Sequence, residues 1–225
     1  MMPNLPILDI CAVSLTLFAW LAIGYAIENP PRWRLSVSYL MQDYRHQWMR
    51  QMITRVPRIF DGTIIDSLRQ GTAFFASASM IAVGGGLAIV GNPAVVMGIA
   101  QDLPLPSDVA NLRLRALFVV LFLANALLKF VWANRLFGYC AIVMAAVPND
   151  PTDPLAVVRA EQAADLNIHA AKSFNRGLRS IYFALGALGW LLGPYALIAT
   201  TIIASAVLIR RDFASVSREI ILRGD

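Results

Sequence analysis

The sequence has few of the residues and motifs on which most enzymes depend. It contains two cysteines and two histidines in 225 residues, which is too few cysteines for a disulfide framework. It has no HExxH zinc-protease motif, no CxxC pair, no GxSxG nucleophile elbow and no Walker loop. We therefore expect neither an enzyme nor a cofactor-binding protein, and we predict no catalytic residues.

Charged residues are also scarce. They make up 15% of the chain, and 58% is hydrophobic, whereas soluble domains have about 25% charged and about 45–50% apolar residues. The apolar residues fall into long runs, a pattern typical of membrane-spanning helices. No basic residue precedes the first run, so we interpret it as a retained span and not as a cleaved signal.

Four apolar runs are long enough to cross a hydrocarbon core of about 30 Å at about 1.5 Å per residue. We predict membrane spans at about residues 7–27, 72–91, 114–135 and 181–209. The expected fold is therefore all-α. It is a polytopic membrane helical bundle of about four transmembrane helices, with additional amphipathic helices in the cytoplasm.

Basic residues are distributed unevenly between these runs. Residues 28–71 contain seven arginines, whereas residues 92–112 contain no Lys or Arg. The positive-inside rule then predicts that the N-terminus lies outside and that residues 28–71 lie in the cytoplasm. The C-terminal tail disagrees, because four crossings put it outside although it carries four arginines. A fourth span that is broken at Gly193-Pro194 into a re-entrant pair would return the tail to the cytoplasm.

Two segments are predicted to form cytoplasmic helices. In residues 36–56 the apolar side chains recur at helical spacing, and Pro57 ends the pattern. This helix either lies on anionic headgroups or packs against other cytoplasmic helices. In residues 136–179 we expect an extension of the third span, then a turn, then a helix that Asp153 caps and Pro154 begins.

Lys129 is the most informative polar residue of the predicted spans. It follows Arg115 by fourteen residues, or about 21 Å of helix, which places it within the hydrocarbon. A charge there costs about 2.5–3.5 kcal/mol and commonly marks a polar path or a buried pair, although a lysine can also snorkel to the interface. The residues that we assign to this candidate path or pair are Asn125, Lys129, Trp132 and Arg135, with Asp61 and Asp66 as candidate counter-ions.

Small residues mark two other places. In the second span they predict close helix packing at Ser77, Gly84, Gly85 and Gly86, or alternatively a flexible gate at the three glycines. Gly193 and Pro194 predict a kink or a close contact in the fourth span. We predict no metal site, because a solvated charged face explains Glu161, Asp165 and His169 better than a set of ligands on one helix does.

Several runs resemble the motifs of a family of bacterial inner-membrane proteins that is catalogued as a domain of unknown function. The most recognisable run is KFVWANR at residues 129–135, and others are RIFD at 58–61, FFAS at 74–77, FNRGLR at 174–179, GP at 193–194 and RRDF at 210–213. The resemblance covers nearly the whole chain and implies about four membrane helices and no established activity. It marks Lys129, Trp132 and Arg135 as a unit, although Ala133 stands where the family usually has a polar residue.

Two functional hypotheses follow. The first is an oligomeric channel or transporter-like bundle, with Lys129 lining a path for ions or small anions. The second is a non-transporting scaffold or accessory subunit that binds a protein partner or anionic lipid through its basic cytoplasmic helices. The net charge of +5 fits the positive-inside rule, so we do not expect nucleic acid as a partner. We expect the chain to lie in a lipid bilayer and to associate with further copies of itself or with another membrane protein.

Overall fold

The computed structural model describes residues 5–92, 94–95, 97–98 and 109–223. No strand occurs in this part of the chain, which confirms the all-α class. The main helices are α1 (Ile7–Glu28), α2 (Val37–Ile53), α3 (Ile59–Gly91), α4 (Val109–Ala145), α5 (Pro154–Ala187), a 3-10 helix (Leu188–Leu192), α6 (Pro194–Phe213) and α7 (Val216–Leu222).

Three of these helices are long and apolar enough to cross a membrane. The stretches are Ile7–Glu28, Ile59–Gly91 and Ala110–Ala145, and they contain the first three predicted spans. α3 has 33 residues and α4 has 37, so they are about 20 Å and about 25 Å longer than the hydrocarbon core of a bilayer. Both helices therefore extend well beyond the spans that hydropathy predicts.

The fourth predicted span, residues 181–209, is not one helix. α5 ends at Ala187, the 3-10 helix follows, and α6 begins at Pro194. Between them Gly193 has a φ of 110°, a conformation that glycine adopts without strain. Proline suits the first position of α6 because that position needs no backbone N–H donor.

α6 returns along the end of α5 and forms a hairpin with it. The Thr200 hydroxyl donates to the Gly186 carbonyl at 2.6 Å. A Cβ atom at Gly189 would lie 2.9 Å from the Ala196 carbonyl oxygen, so only glycine permits this approach. Residues 181–209 thus have the broken arrangement that was the alternative to a single fourth span. The number of membrane crossings stays a prediction.

The chain divides into two compact units. The first, which we call the apolar unit, comprises Met1–Ala26, Ser77–Leu127 and Gly177–Arg211. The second, which we call the polar unit, comprises Ile27–Ala76, Leu128–Arg176 and Asp212–Asp225. Of the four arginines of the basic tail, Arg218 and Arg223 therefore belong to the same unit as residues 28–71, whereas Arg210 and Arg211 belong to the apolar unit.

Aromatic rings fill the apolar unit. Phe122 contacts Trp20, Phe118 and Phe183, with ring centroids 5.1–6.1 Å apart, and Phe118 also meets Trp190 edge-on. A buried polar contact links α1 to α6, where the hydroxyl oxygens of the threonines at 16 and 201 are 2.8 Å apart.

The core of the polar unit is built from α2, α3, α4 and α5. α2 begins after Ser36, whose side chain accepts a hydrogen bond from the Tyr39 N–H. It buries Leu40, Met49, Met52 and Ile53, and the last three pack against α3, α4 and the alanines of α5. The sequence allowed α2 either to lie on lipid headgroups or to pack against other helices, and the structure shows packing against other helices. The predicted cap of α5 is confirmed, since the Leu155 N–H donates to Asp153 at 2.8 Å.

Candidate functional site

The four residues of the predicted stripe around Lys129 have different partners in the structure. Asn125 donates to the buried Ser180 hydroxyl at 2.7 Å. Lys129 is half-buried, and among the residues that the structure describes it has no hydrogen-bond or ion-pair partner. Trp132 is exposed, and Arg135 is bonded to Tyr139 one turn further along α4. The four residues therefore have separate environments.

The candidate counter-ions are also engaged elsewhere. Asp61 is bonded to Arg55 and to the Trp48 indole N–H, and Asp66 accepts from Gln70 on its own helix at 2.6 Å. The predicted pairing of these aspartates with Lys129 or Arg135 is therefore not observed among the described residues. Arg55 reaches Asp61 because the two residues flank the turn that joins α2 to α3.

Asp61 is the most unusual charged group of the polar unit. It has no exposed surface. Its Oδ1 atom accepts from the Trp48 Nε1 atom at 2.7 Å and from Arg55, whereas its Oδ2 atom has no partner among the described residues. A buried acceptor without a donor costs about 1–3 kcal/mol, so the second oxygen requires an explanation.

Arg58 lies just before α3, three residues before Asp61, and its side chain connects the α2–α3 turn to the segment between α4 and α5. Its guanidinium donates to the carbonyls of Ile53 at 3.1 Å and of Val147 and Pro148 at 2.7 Å. Its Nε atom is buried and has no partner in the described part of the chain. Arg58 and Asp61 both line a cavity of about 280 Å³ in the polar unit.

A second charged cluster joins α2 to α5. His46 Nδ1 lies 2.7 Å from Glu161 Oε2, and Arg50 Nε donates to Glu161 Oε1 at 2.5 Å. Burial raises the pKa of Glu161, but the hydrogen bonds from Arg50 and His46 outweigh it, so the pKa lies below its ordinary value. Asp165 is 3.7 Å from His46. In the described residues no group of three metal-ligating side chains occurs.

Most arginines of the polar unit are bonded within it. Their partners are carboxylates, amides or backbone carbonyls, and the residues are Arg34, Arg45, Arg50, Arg55, Arg58, Arg159, Arg176 and Arg218. The pKa of Arg176 is raised by its hydrogen bonds to Glu28. The pKa of Arg45 is lowered by burial. Much of the basic charge in the sequence therefore supports the fold of this unit.

An exposed basic and aromatic surface lies after α1, and the C-terminal tail packs beside it. Trp33 is 80% exposed and stands between the exposed Arg32 and Arg34. α7 adds exposed apolar side chains one turn apart. We call this surface the interfacial collar, and it consists of Arg32, Trp33, Arg34, Val216 and Ile220.

Three hydrogen bonds hold the tail in the collar, and one of them runs from Arg34 to the Phe213 carbonyl at 3.5 Å. Arg218 Nε donates to the Leu35 carbonyl at 2.8 Å, and the Ser38 hydroxyl donates to Asp212 Oδ1 at 2.9 Å. Sequence reasoning missed this docking. Its one visible signal was that both segments are rich in arginine, a composition that the positive-inside rule assigns to the same side of a membrane.

Sequence reasoning also missed a buried charged cluster in the apolar unit. Asp9 is only 2% exposed and accepts from the Trp190 indole N–H at 2.5 Å. Arg115 Nη2 lies 3.5 Å from Asp9 Oδ1, and its guanidinium lies 5.9 Å from the Trp190 ring centre. A lone carboxylate within the first apolar run was the signal that could have found this cluster.

The predicted packing residues differ in what they contact. A Cβ atom at Gly86 would meet Val120 at 2.6 Å, so this glycine does permit a close approach. Gly84 and Gly85 have no neighbour within 4 Å of such an atom, and Ser77 is exposed. Close packing of these three residues is not seen within the chain. Gly193 and Pro194 form the turn of the hairpin and not a kink within one helix.

Two cavities of the apolar unit have apolar walls. One of about 160 Å³ is lined by Gly86, Leu112, Val120 and neighbouring apolar residues. The other, of about 410 Å³, has Ser14 as its one hydroxyl-bearing lining residue. Lys129 lines neither of them, nor the cavity beside Asp61.

Comparison with known proteins identifies one family. The family model described as "Protein of unknown function, DUF599" matches residues 11–217. No curated protein and no solved structure matches the chain.

Proposed function

The chain belongs to the family described as Protein of unknown function, DUF599, and we propose that it is a non-transporting membrane scaffold or accessory subunit that binds anionic lipid through the interfacial collar. The observation that carries this proposal is the exposed Trp33 between two exposed arginines, directly after a helix that is long and apolar enough to span a membrane. Tryptophan and arginine together are typical of a surface at the level of the lipid headgroups.

The chain itself keeps the collar close to the membrane. α1 ends at Glu28, and Arg32 follows four residues later, a distance that an extended chain covers in at most about 14 Å. α6 ends at Phe213, and α7 begins at Val216. Both parts of the collar therefore follow apolar helices within a few residues, and the positive charges of Arg32 and Arg34 suit a surface that anionic lipid makes negative.

The arrangement of the polar residues gives little support to conduction. The apolar-unit cavities have almost entirely apolar walls, whereas ion and anion paths are lined by polar or charged groups. Lys129 has no polar partner among the described residues and lines none of the three cavities. Its long side chain is instead free to reach toward headgroups, as expected for a snorkelling lysine.

Native mass spectrometry of the purified protein tests the proposal. We expect the wild-type protein to retain phosphatidylglycerol in preference to phosphatidylcholine with the same acyl chains. Each basic residue near an anionic surface contributes about 1 kcal/mol, so Arg32→Gln should weaken phosphatidylglycerol binding about fivefold. Arg69→Gln is the matched control, because Arg69 is also exposed and lies in the polar unit outside the collar.

Two results would contradict the proposal. One is equal retention of the two lipids, or an equal loss of binding in Arg32→Gln and Arg69→Gln. The other is a chloride flux into liposomes that the wild-type protein supports and Lys129→Met abolishes, because that flux would restore the transport hypothesis.

A further inference from the structure

The cavity beside Asp61 is the feature that the proposed scaffold function does not use. It lies between α2, α3 and α4, and its apolar lining includes Met52, Ile65 and Met144. Its volume of about 280 Å³ far exceeds the roughly 30 Å³ of one water molecule and lies near the lower end of small-ligand pockets.

The cavity is open to solvent on one side. Gly62, Ala145 and Asn149 line it and are exposed, whereas Asp61 and Met52 line it and are buried. A Cβ atom at Gly62 would meet no atom within 4 Å, which agrees with open space beside this residue. A small molecule can therefore enter from the side of Gly62, and because Asp61 has no exposed surface, contact with its carboxylate requires neighbouring side chains to move.

Two polar atoms of the cavity-lining residues are unsatisfied, and they are complementary. The Asp61 Oδ2 atom needs a donor, and the Arg58 Nε atom needs an acceptor. A hydroxyl group can serve as both donor and acceptor. Two arginines, Arg55 and Arg58, already flank the one carboxylate, so a further cation is disfavoured. A fully deprotonated anion has no proton to donate to the Asp61 Oδ2 atom.

We infer that this cavity is a binding site for a small uncharged molecule that carries a hydroxyl group on an apolar body. The hydroxyl donates to Asp61, and the apolar body contacts Met52, Ile65 and Met144. The two methionines suit such a site because their flexible thioether side chains adapt to ligands of different shape. The inference is independent of the interfacial collar and of the proposed scaffold function.

Phenol is the probe that tests the site, in a saturation-transfer NMR titration of the detergent-solubilised full-length protein. Gly62→Leu adds an isobutyl group to a residue that lines the open side of the cavity and should weaken phenol binding at least tenfold. Gly71→Leu is the matched control, because Gly71 lies on the same helix, has the same free space and does not line the cavity. The signal measured with Gly71→Leu also includes any phenol that partitions into the micelle, so the comparison of the two variants removes this contribution.

Two further measurements test the hydrogen bond. Anisole has the same ring as phenol and lacks the donor, so it should bind at least tenfold more weakly. Asp61→Asn should bind phenol at least threefold more weakly than Gly71→Leu, which serves as the folded reference variant. The inference is overturned if the wild-type protein binds no phenol, if Gly62→Leu binds as Gly71→Leu does, or if anisole binds as tightly as phenol.

Discussion

At the scale of single residues, the charged groups of the polar unit are mainly partners of one another. Glu161 shows how this works, because it accepts from both Arg50 and His46 on α2 and thereby connects α2 to α5. Its pKa is lowered by these bonds in spite of its burial. A carboxyl whose pKa is lower in the folded state stabilises the fold above its unfolded pKa, and this contribution disappears as the pH falls through the folded value.

We therefore predict that Glu161→Gln lowers the free energy of unfolding at pH 7 by about 1 kcal/mol. The value is modest because the Arg50 side chain is 63% exposed, and solvent screens the pair. Denaturant unfolding in detergent should show the difference at pH 7, and the difference should shrink as the pH falls below about 4.5, the ordinary range for a glutamate. Asp165→Asn is the control, since Asp165 is 3.7 Å from His46 and 67% exposed. An effect of Asp165→Asn as large as that of Glu161→Gln would contradict the role assigned to Glu161.

At the scale of elements, the hairpin of α5 and α6 is the part of the fold that hydropathy describes least well. Both of its arms are apolar and only six residues separate α5 from α6, so their sequence looks like one long span. The direction of the chain reverses because Gly193 supplies a positive φ and Gly189 lets α6 approach closely.

Substitution of the hairpin glycines tests this packing. A Cβ atom at Gly189 would lie 2.9 Å from the Ala196 backbone oxygen, whereas one at Gly186 would lie 3.5 Å from the Thr200 oxygen, an ordinary contact. Gly189→Ala should therefore destabilise the protein by about 1–3 kcal/mol through overpacking, and Gly186→Ala should have a much smaller effect. Thermal unfolding of the two variants in the same detergent compares them directly. Equal midpoints would show that the close approach at Gly189 is not required.

At the scale of the whole molecule, the sequence predicts helices better than it predicts partners. The apolar runs locate α1 and the spanning parts of α3 and α4, because a helix that crosses lipid needs about twenty apolar residues. The cap at Asp153 is equally local. The partner of Asp61 could not be chosen in this way, because several basic residues are candidates and only the structure shows that Arg55, just after the end of α2, is bonded to it.

The position of the C-terminal tail is the whole-molecule feature that most needs a test. Arg218 and Asp212 bind it to residues 35–38 of the polar unit. We therefore predict that the tail lies on the same side of the membrane as residues 28–71, and that Asn92 lies on the other side. The two native cysteines, Cys11 and Cys140, are free and must first be replaced.

Single cysteines at the exposed positions Gln51, Asn92 and Ser217 then report the topology. In intact cells a membrane-impermeant maleimide should label Asn92→Cys and leave Gln51→Cys and Ser217→Cys unlabelled, and inside-out vesicles should reverse the pattern. Gln51→Cys is the matched control for Ser217→Cys, because both residues belong to the polar unit. If Ser217→Cys is labelled together with Asn92→Cys, the tail cannot be docked on residues 35–38 in the membrane. The collar would then lose α7, and residues 181–209 would have to cross the bilayer as a single span.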